Sequence, residues 1–67
     1  MDIETLHTIA TYYFEKVKTN CDYRKIIHYK EEKGNYSFYA LYKCKRGIGL
    51  KKVILTPDGD LVEVISL

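Results

Sequence analysis

Residues 2 to 18, DIETLHTIATYYFEKVK, place Ile3, Leu6, Ala10, Tyr13 and Val17 at alternating spacings of three and four, and Ile9 with Phe14 widens the stripe. That spacing predicts a helix over about residues 3–18 with one apolar face. Its ends carry matching signals. Asp2 suits the N-cap, Glu4 falls in the first turn, Lys16 and Lys18 fall in the last, and Asn20 can take a left-handed exit. The stripe is too short for a coiled-coil seam, so it is read as a core-facing surface.

From Tyr23 the pattern changes to short runs of β-branched and aromatic residues separated by turn residues. YRKIIHYK, YSFYALYKCK, LKKVILT and LVEVIS read as strands, with breaks at EKGN, RGIG and PDGD. Proline followed by Asp and Gly fits a tight turn whose glycine takes the left-handed position. Short turns make consecutive strands pair antiparallel. The expectation is therefore one α+β domain over residues 1–67: an N-terminal amphipathic helix packed on a four-stranded antiparallel meander, in the order α-β-β-β-β.

Alternation along the strands then assigns faces. In the second strand Tyr36, Phe38, Ala40, Tyr42 and Cys44 belong to the helix side, which leaves Ser37, Tyr39, Leu41, Lys43 and Lys45 on the other. Strict alternation opposes Lys25, Ile27 and Tyr29 to Arg24, Ile26 and His28 in the first strand, and Leu61 and Ile65 to Val62 and Val64 in the last. Both faces carry apolar residues, and one helix covers one face. A second cover is needed, and a homodimer supplies it most simply, with Ile26, Tyr39 and Leu41 as candidate interface residues.

Length sharpens that need. A chain of 67 residues buries a smaller fraction of its surface than a longer domain. Small chains usually add a disulfide, a metal or a second subunit. Nothing at the start reads as a charged segment followed by an apolar one, so a reducing cytoplasm is expected, and there Cys21 and Cys44 are small apolar core residues rather than a bridge. His7, His28, Cys21 and Cys44 lack any metal-ligand spacing, so no metal and no cofactor is expected. Apolar runs are far too short for a membrane span.

The net charge of +2 is uneven: residues 34 to 56 hold five bases and no acid. Lys43, Lys45, Arg46, Lys51 and Lys52 are therefore candidates for an anion or single-stranded nucleic acid, with Tyr39 as a stacking ring beside Tyr29 or Tyr42. The bases cluster at strand ends rather than along a groove, which favours a solvated lysine-rich turn. RGIG lacks the following helix that a phosphate loop requires. For catalysis Cys44, His28 and Asp22 are suitable residue types, yet Cys44 and His28 belong to opposite faces. A binding protein rather than an enzyme is the expectation. Seven tyrosines agree with it, because tyrosine is large, stiff and tipped with one polar group.

The lone amphipathic helix followed by a tyrosine-rich and lysine-rich meander ending in ILTPDGDLVEVIS is similar to short uncharacterised proteins encoded by Bacillus prophages. The resemblance implies a cytoplasmic protein acting on host or phage components. It implies no functional residues.

Overall fold

The computed structural model describes residues 1–67. Helix α1 (Ile3–Lys16) is followed by β1 (Asp22–Glu32), β2 (Asn35–Cys44), β3 (Gly47–Leu55) and β4 (Leu61–Ser66). The strands form one antiparallel sheet in the order β1-β2-β3-β4, so the α-β-β-β-β architecture is as the pattern predicts.

The helix starts where Asp2 can cap it: the Asp2 carboxylate accepts from the Thr5 amide at 2.9 Å. Hydrogen bonding from Thr5, its hydroxyl first and its amide second, lowers the Asp2 pKa, since it favours the charged form. The helix ends at Lys16, and the chain leaves extended through Val17 rather than left-handed at Asn20. One stripe of the helix, Leu6, Ala10 and Phe14, meets Phe38, Ala40 and Tyr42 of β2 and Val53 and Leu55 of β3, and all eight are buried. Tyr42 brings a hydroxyl into this core and donates it to the Phe14 carbonyl at 2.6 Å. The Phe14 carbonyl, in the last helical turn, also accepts from the Val17 amide at 3.4 Å, so the hydroxyl is its second donor.

Two tight turns fix the meander. Lys33 and Gly34, with φ of 53° and 80°, form a left-handed pair between β1 and β2, the geometry whose twist suits a hairpin. Between β2 and β3 the turn is Lys45 and Arg46 alone, and β3 begins at Gly47. The expected break at RGIG is thus mostly strand. Gly49 pairs with Tyr42, and a Cβ there would come 3.2 Å from the Cys44 sulfur. Its lack of a side chain leaves room for that sulfur.

The room is used, because Cys21 and Cys44 form a disulfide. This reverses the expectation of two unpaired cysteines. Cys21 immediately precedes β1 and Cys44 ends β2, and the pairing of Asp22 with Lys43 brings the two together. Twenty-three residues of sequence separation become a Cα–Cα distance of 4.3 Å.

Irregular pairing overturns two of the face assignments. In β1 the register shifts between Tyr23 and Lys25 and again between Ile26 and His28. A bulge adds a residue to one strand and interrupts the two-residue period. As a result Tyr23, Ile26 and Tyr29 pair with Tyr42, Ala40 and Phe38 on the helix side, while Lys25 and His28 pair with Leu41 and Tyr39 on the open side. In β4 a shift puts both Leu61, opposite Leu55, and Val64, opposite Val53, on the helix side. Ile65, opposite Lys52, faces the other way.

Candidate functional site

The sheet face away from the helix is built from β2 outward. Tyr39 and Leu41 lie on it as expected, and both are half-buried. Ile26 does not join them: it pairs with Ala40 and packs against the core beneath the helix, a consequence of the β1 bulges. Sequence alternation alone could not register those inserted residues.

Register supplies the neighbours. Lys52, Leu50 and Ile48 of β3 lie opposite Tyr39, Leu41 and Lys43, and Ile54 lies opposite Ser37. The face is therefore apolar at Leu41, Leu50, Ile48, Ile54 and Ile65 and polar between them. Ile48 is 72% exposed and Leu50 38%, so the exposed apolar surface is centred on β3 rather than on Tyr39. The signal for these residues was present in the alternation of GIGLKKVIL, which places Ile48, Leu50, Lys52 and Ile54 on one face once the strand begins at Gly47.

Tyr39 already has company. Its ring lies 5.6 Å from that of His28, and the Lys52 ammonium sits 5.5 Å from its centroid. Lys52 also reaches the Glu32 carboxylate at 3.7 Å, where Lys30 approaches to 3.3 Å and the buried Ser37 hydroxyl donates at 3.3 Å. The hydrogen bond and charge of Lys30 lower the Glu32 pKa, and Glu32 raises that of Lys30. This polar network runs from the β1–β2 hairpin end of the face, at Glu32, to the Tyr39 ring through Lys52. A ring flanked in this way is an anchor more than a free stacking platform.

The basic candidates separate. Lys51 turns to the helix side, where its ammonium lies 5.4 Å from the Tyr42 ring and donates to Ser66 at 2.9 Å. Lys52 is on the opposite face with Glu32 and Tyr39. Lys43, Lys45 and Arg46 stay together at the β2–β3 turn. Arg24 joins Lys43 and Lys45 around a cleft of about 410 Å³ floored in part by Leu41 and Ile48, with no carboxylate in its lining. Arg24 was not among the residues expected here.

Cys44, the nucleophile type considered from sequence, has its sulfur committed to the disulfide. His28 lies on the open face against Tyr39. Asp22 pairs across the ladder with Lys43. These three do not form a constellation. No helix is long and apolar enough to cross a membrane. No family model, curated protein or solved structure matches the chain.

Proposed function

We propose that the chain is a small binding domain without catalytic activity, that it works as a homodimer, and that its open sheet face receives a protein partner. The observation that supports this is the face itself: Ile48, Leu50, Leu41, Ile54 and Ile65 lie on it around Tyr39, with no element of the chain packed over them. Exposed apolar surface rimmed by charge is what protein contacts use. In the prophage setting that the resemblance implies, the partner is a host or phage protein. Capture of the same partner by the wild type, by Tyr39→Ala and by Leu41→Ala would count against this face; loss in both variants is the expected result.

The cleft bounded by Arg24, Lys43 and Lys45 supports a second reading, anion or single-stranded nucleic-acid binding. A basic site of that kind gives strong salt-dependent binding in a titration with labelled oligonucleotides. Silence at both low and moderate salt removes it. The divergence of Lys51 from Lys52, and the capture of Lys52 by Glu32, make this footprint smaller than the sequence suggests.

A cytoplasmic location, the compartment expected from the sequence, requires the Cys21–Cys44 pair to be reduced in the cell, because cytosolic thiols are kept reduced. Maleimide trapping in intact cells reads this directly. Two labelled cysteines per chain fit the cytoplasm, and two protected ones fit an oxidising compartment.

A further inference from the structure

The sheet has two free edges, and the chain treats them differently. The β1 edge runs through DYRKIIHYKEE, with Asp22, Arg24, Lys25, Lys30, Glu31 and Glu32 along it and two register shifts within it. Charges and bulges of this kind block pairing with another chain. The β4 edge, LVEVIS, has Glu63 as its one charged residue, and Leu61, Val62 and Val64 are 41%, 50% and 37% exposed. It carries no lysine or proline, and its single shift lies near its start, between Leu61 and Glu63.

The ladder shows which β4 groups point outward. The Leu67 amide donates to the Leu50 carbonyl at 2.9 Å, so these two form a hydrogen-bonded pair. Antiparallel pairs alternate, so Ile65 opposite Lys52 and Glu63 opposite Ile54 also turn their backbone groups inward. Val64 and Ser66 then turn their N–H and C=O groups to the free edge. The shift at Val62 ends this regular stretch on the other side.

From this we infer that two copies of the chain join antiparallel through β4, with the twofold axis at Ile65, into one continuous sheet. The inference rests on the homodimer proposed above and assigns its contact to the edge, so that the two open faces lie side by side for a further partner. In this register Val64 pairs with the partner's Ser66 and Ser66 with the partner's Val64, and about four hydrogen bonds form, two for each such pair. Ile65 sits against the partner's Ile65 on the open side, and Glu63 lies opposite the partner's Leu67. Moving the axis to Glu63 would set two carboxylates against each other, which is unfavourable, and would use the displaced Val62. Moving it to Val64 would again rely on Val62. Of these three axes, the one at Ile65 alone avoids both the paired carboxylates and the displaced Val62.

The test is sedimentation equilibrium of the wild type, Val64→Pro and Leu41→Glu at high micromolar concentration. The Val64 amide has no partner within one chain, and proline is tolerated at such edge positions, so Val64→Pro keeps a folded monomer but removes a donor on each side of the axis. Expected are a dimeric wild type, a monomeric Val64→Pro with an unchanged circular dichroism spectrum, and a dimeric Leu41→Glu. A dimer that survives Val64→Pro and falls apart in Leu41→Glu overturns the edge contact while leaving the homodimer standing. A monomeric wild type overturns both. Should Val64→Pro fail to fold, cysteine replacement decides: Ile65→Cys yields a covalent dimer on a non-reducing gel after mild oxidation and Val62→Cys does not, and the opposite result overturns the register.

Discussion

Along β2, neighbouring residues serve two different environments. Phe38, Ala40 and Tyr42 are at most 1% exposed beneath the helix, whereas Tyr39 and Leu41 between them are only half-buried. The covered face is closed by side chains brought from a distant part of the sequence, Leu6, Ala10 and Phe14. The open face is shielded only by its own neighbours, the Lys52 ammonium and His28 ring over Tyr39 and the cross-strand Leu50 beside Leu41. Fold stability therefore resides on one side of the strand. The other side is free to be spent on binding.

Substitutions on the covered side should break the molecule. Phe38→Ala removes a wholly buried ring between the helix and β1, where Tyr29 stacks on it at 5.7 Å. A loss of about 3–5 kcal/mol is expected for such a truncation, comparable with all that a core this small supplies. The variant should show no cooperative urea transition. A transition near that of the wild type would mean that the helix is not the cover described.

The disulfide comes next. Cys44→Ser frees the start of β1 from the end of β2 and removes a constraint on the unfolded chain that spans 23 residues. Loops of this size correspond to about 3 kcal/mol in the chain-entropy account. Urea midpoints of the wild type with and without reductant should differ by a similar amount, and reductant should leave Cys44→Ser unmoved. Equal midpoints for the wild type would show that the β1–β2 ladder holds this corner unaided.

Much of the covered face was legible in the sequence, because its causes are local. Helix spacing, the Asp2 cap and the β2 alternation each act over a few residues, and Leu6, Ala10, Phe14, Phe38 and Tyr42 all lie where those patterns put them. The bridge and the bulges have no such local cause. Cys21 meets Cys44 only because Asp22 pairs with Lys43, and Ile26 turns under the helix only because an extra residue enters β1 on either side of it. Strict alternation therefore sent Ile26 to the open face. The cause is physical: the inserted Arg24 moves Lys25 and Ile26 to the opposite faces, and the inserted Ile27 returns His28 and Tyr29 to the faces that alternation gives them.

Tyr42 tests the polar part of the covered face. Tyr42→Phe keeps the ring and deletes the hydroxyl that donates to the Phe14 carbonyl, with an expected cost of about 1 kcal/mol. The same hydroxyl gives stability a pH dependence. Burial, helped by the Tyr23 phenol, raises its pKa from 10.0 to about 12. The fold therefore holds this proton more tightly than the unfolded chain does. Below about pH 10 both states are protonated and the contribution is complete; above it the unfolded chain ionises first, and stability falls until about pH 12. Wild-type urea midpoints should drop across that window more steeply than those of Tyr42→Phe, in which the other tyrosines and the lysines still titrate. Parallel curves would mean that the Tyr42 hydroxyl reaches water.

The smallest effect on stability should come from the open side, where Leu41→Ala sharpens the contrast with Phe38→Ala three positions away. Leu41 rests between Lys25 and Leu50 on a face with nothing above it, so truncation exposes no sealed cavity and uncovers little of its neighbours. The expected change is under about 1 kcal/mol, the transfer of part of one side chain without a cavity contribution. Thermal unfolding at low protein concentration isolates this intrinsic effect from any contact with a second copy, since association stabilises by mass action and fades on dilution. A loss as large as that of Phe38→Ala under those conditions would show that Leu41 belongs to the core. A small loss combined with lost partner capture would separate the folding side of β2 from its binding side.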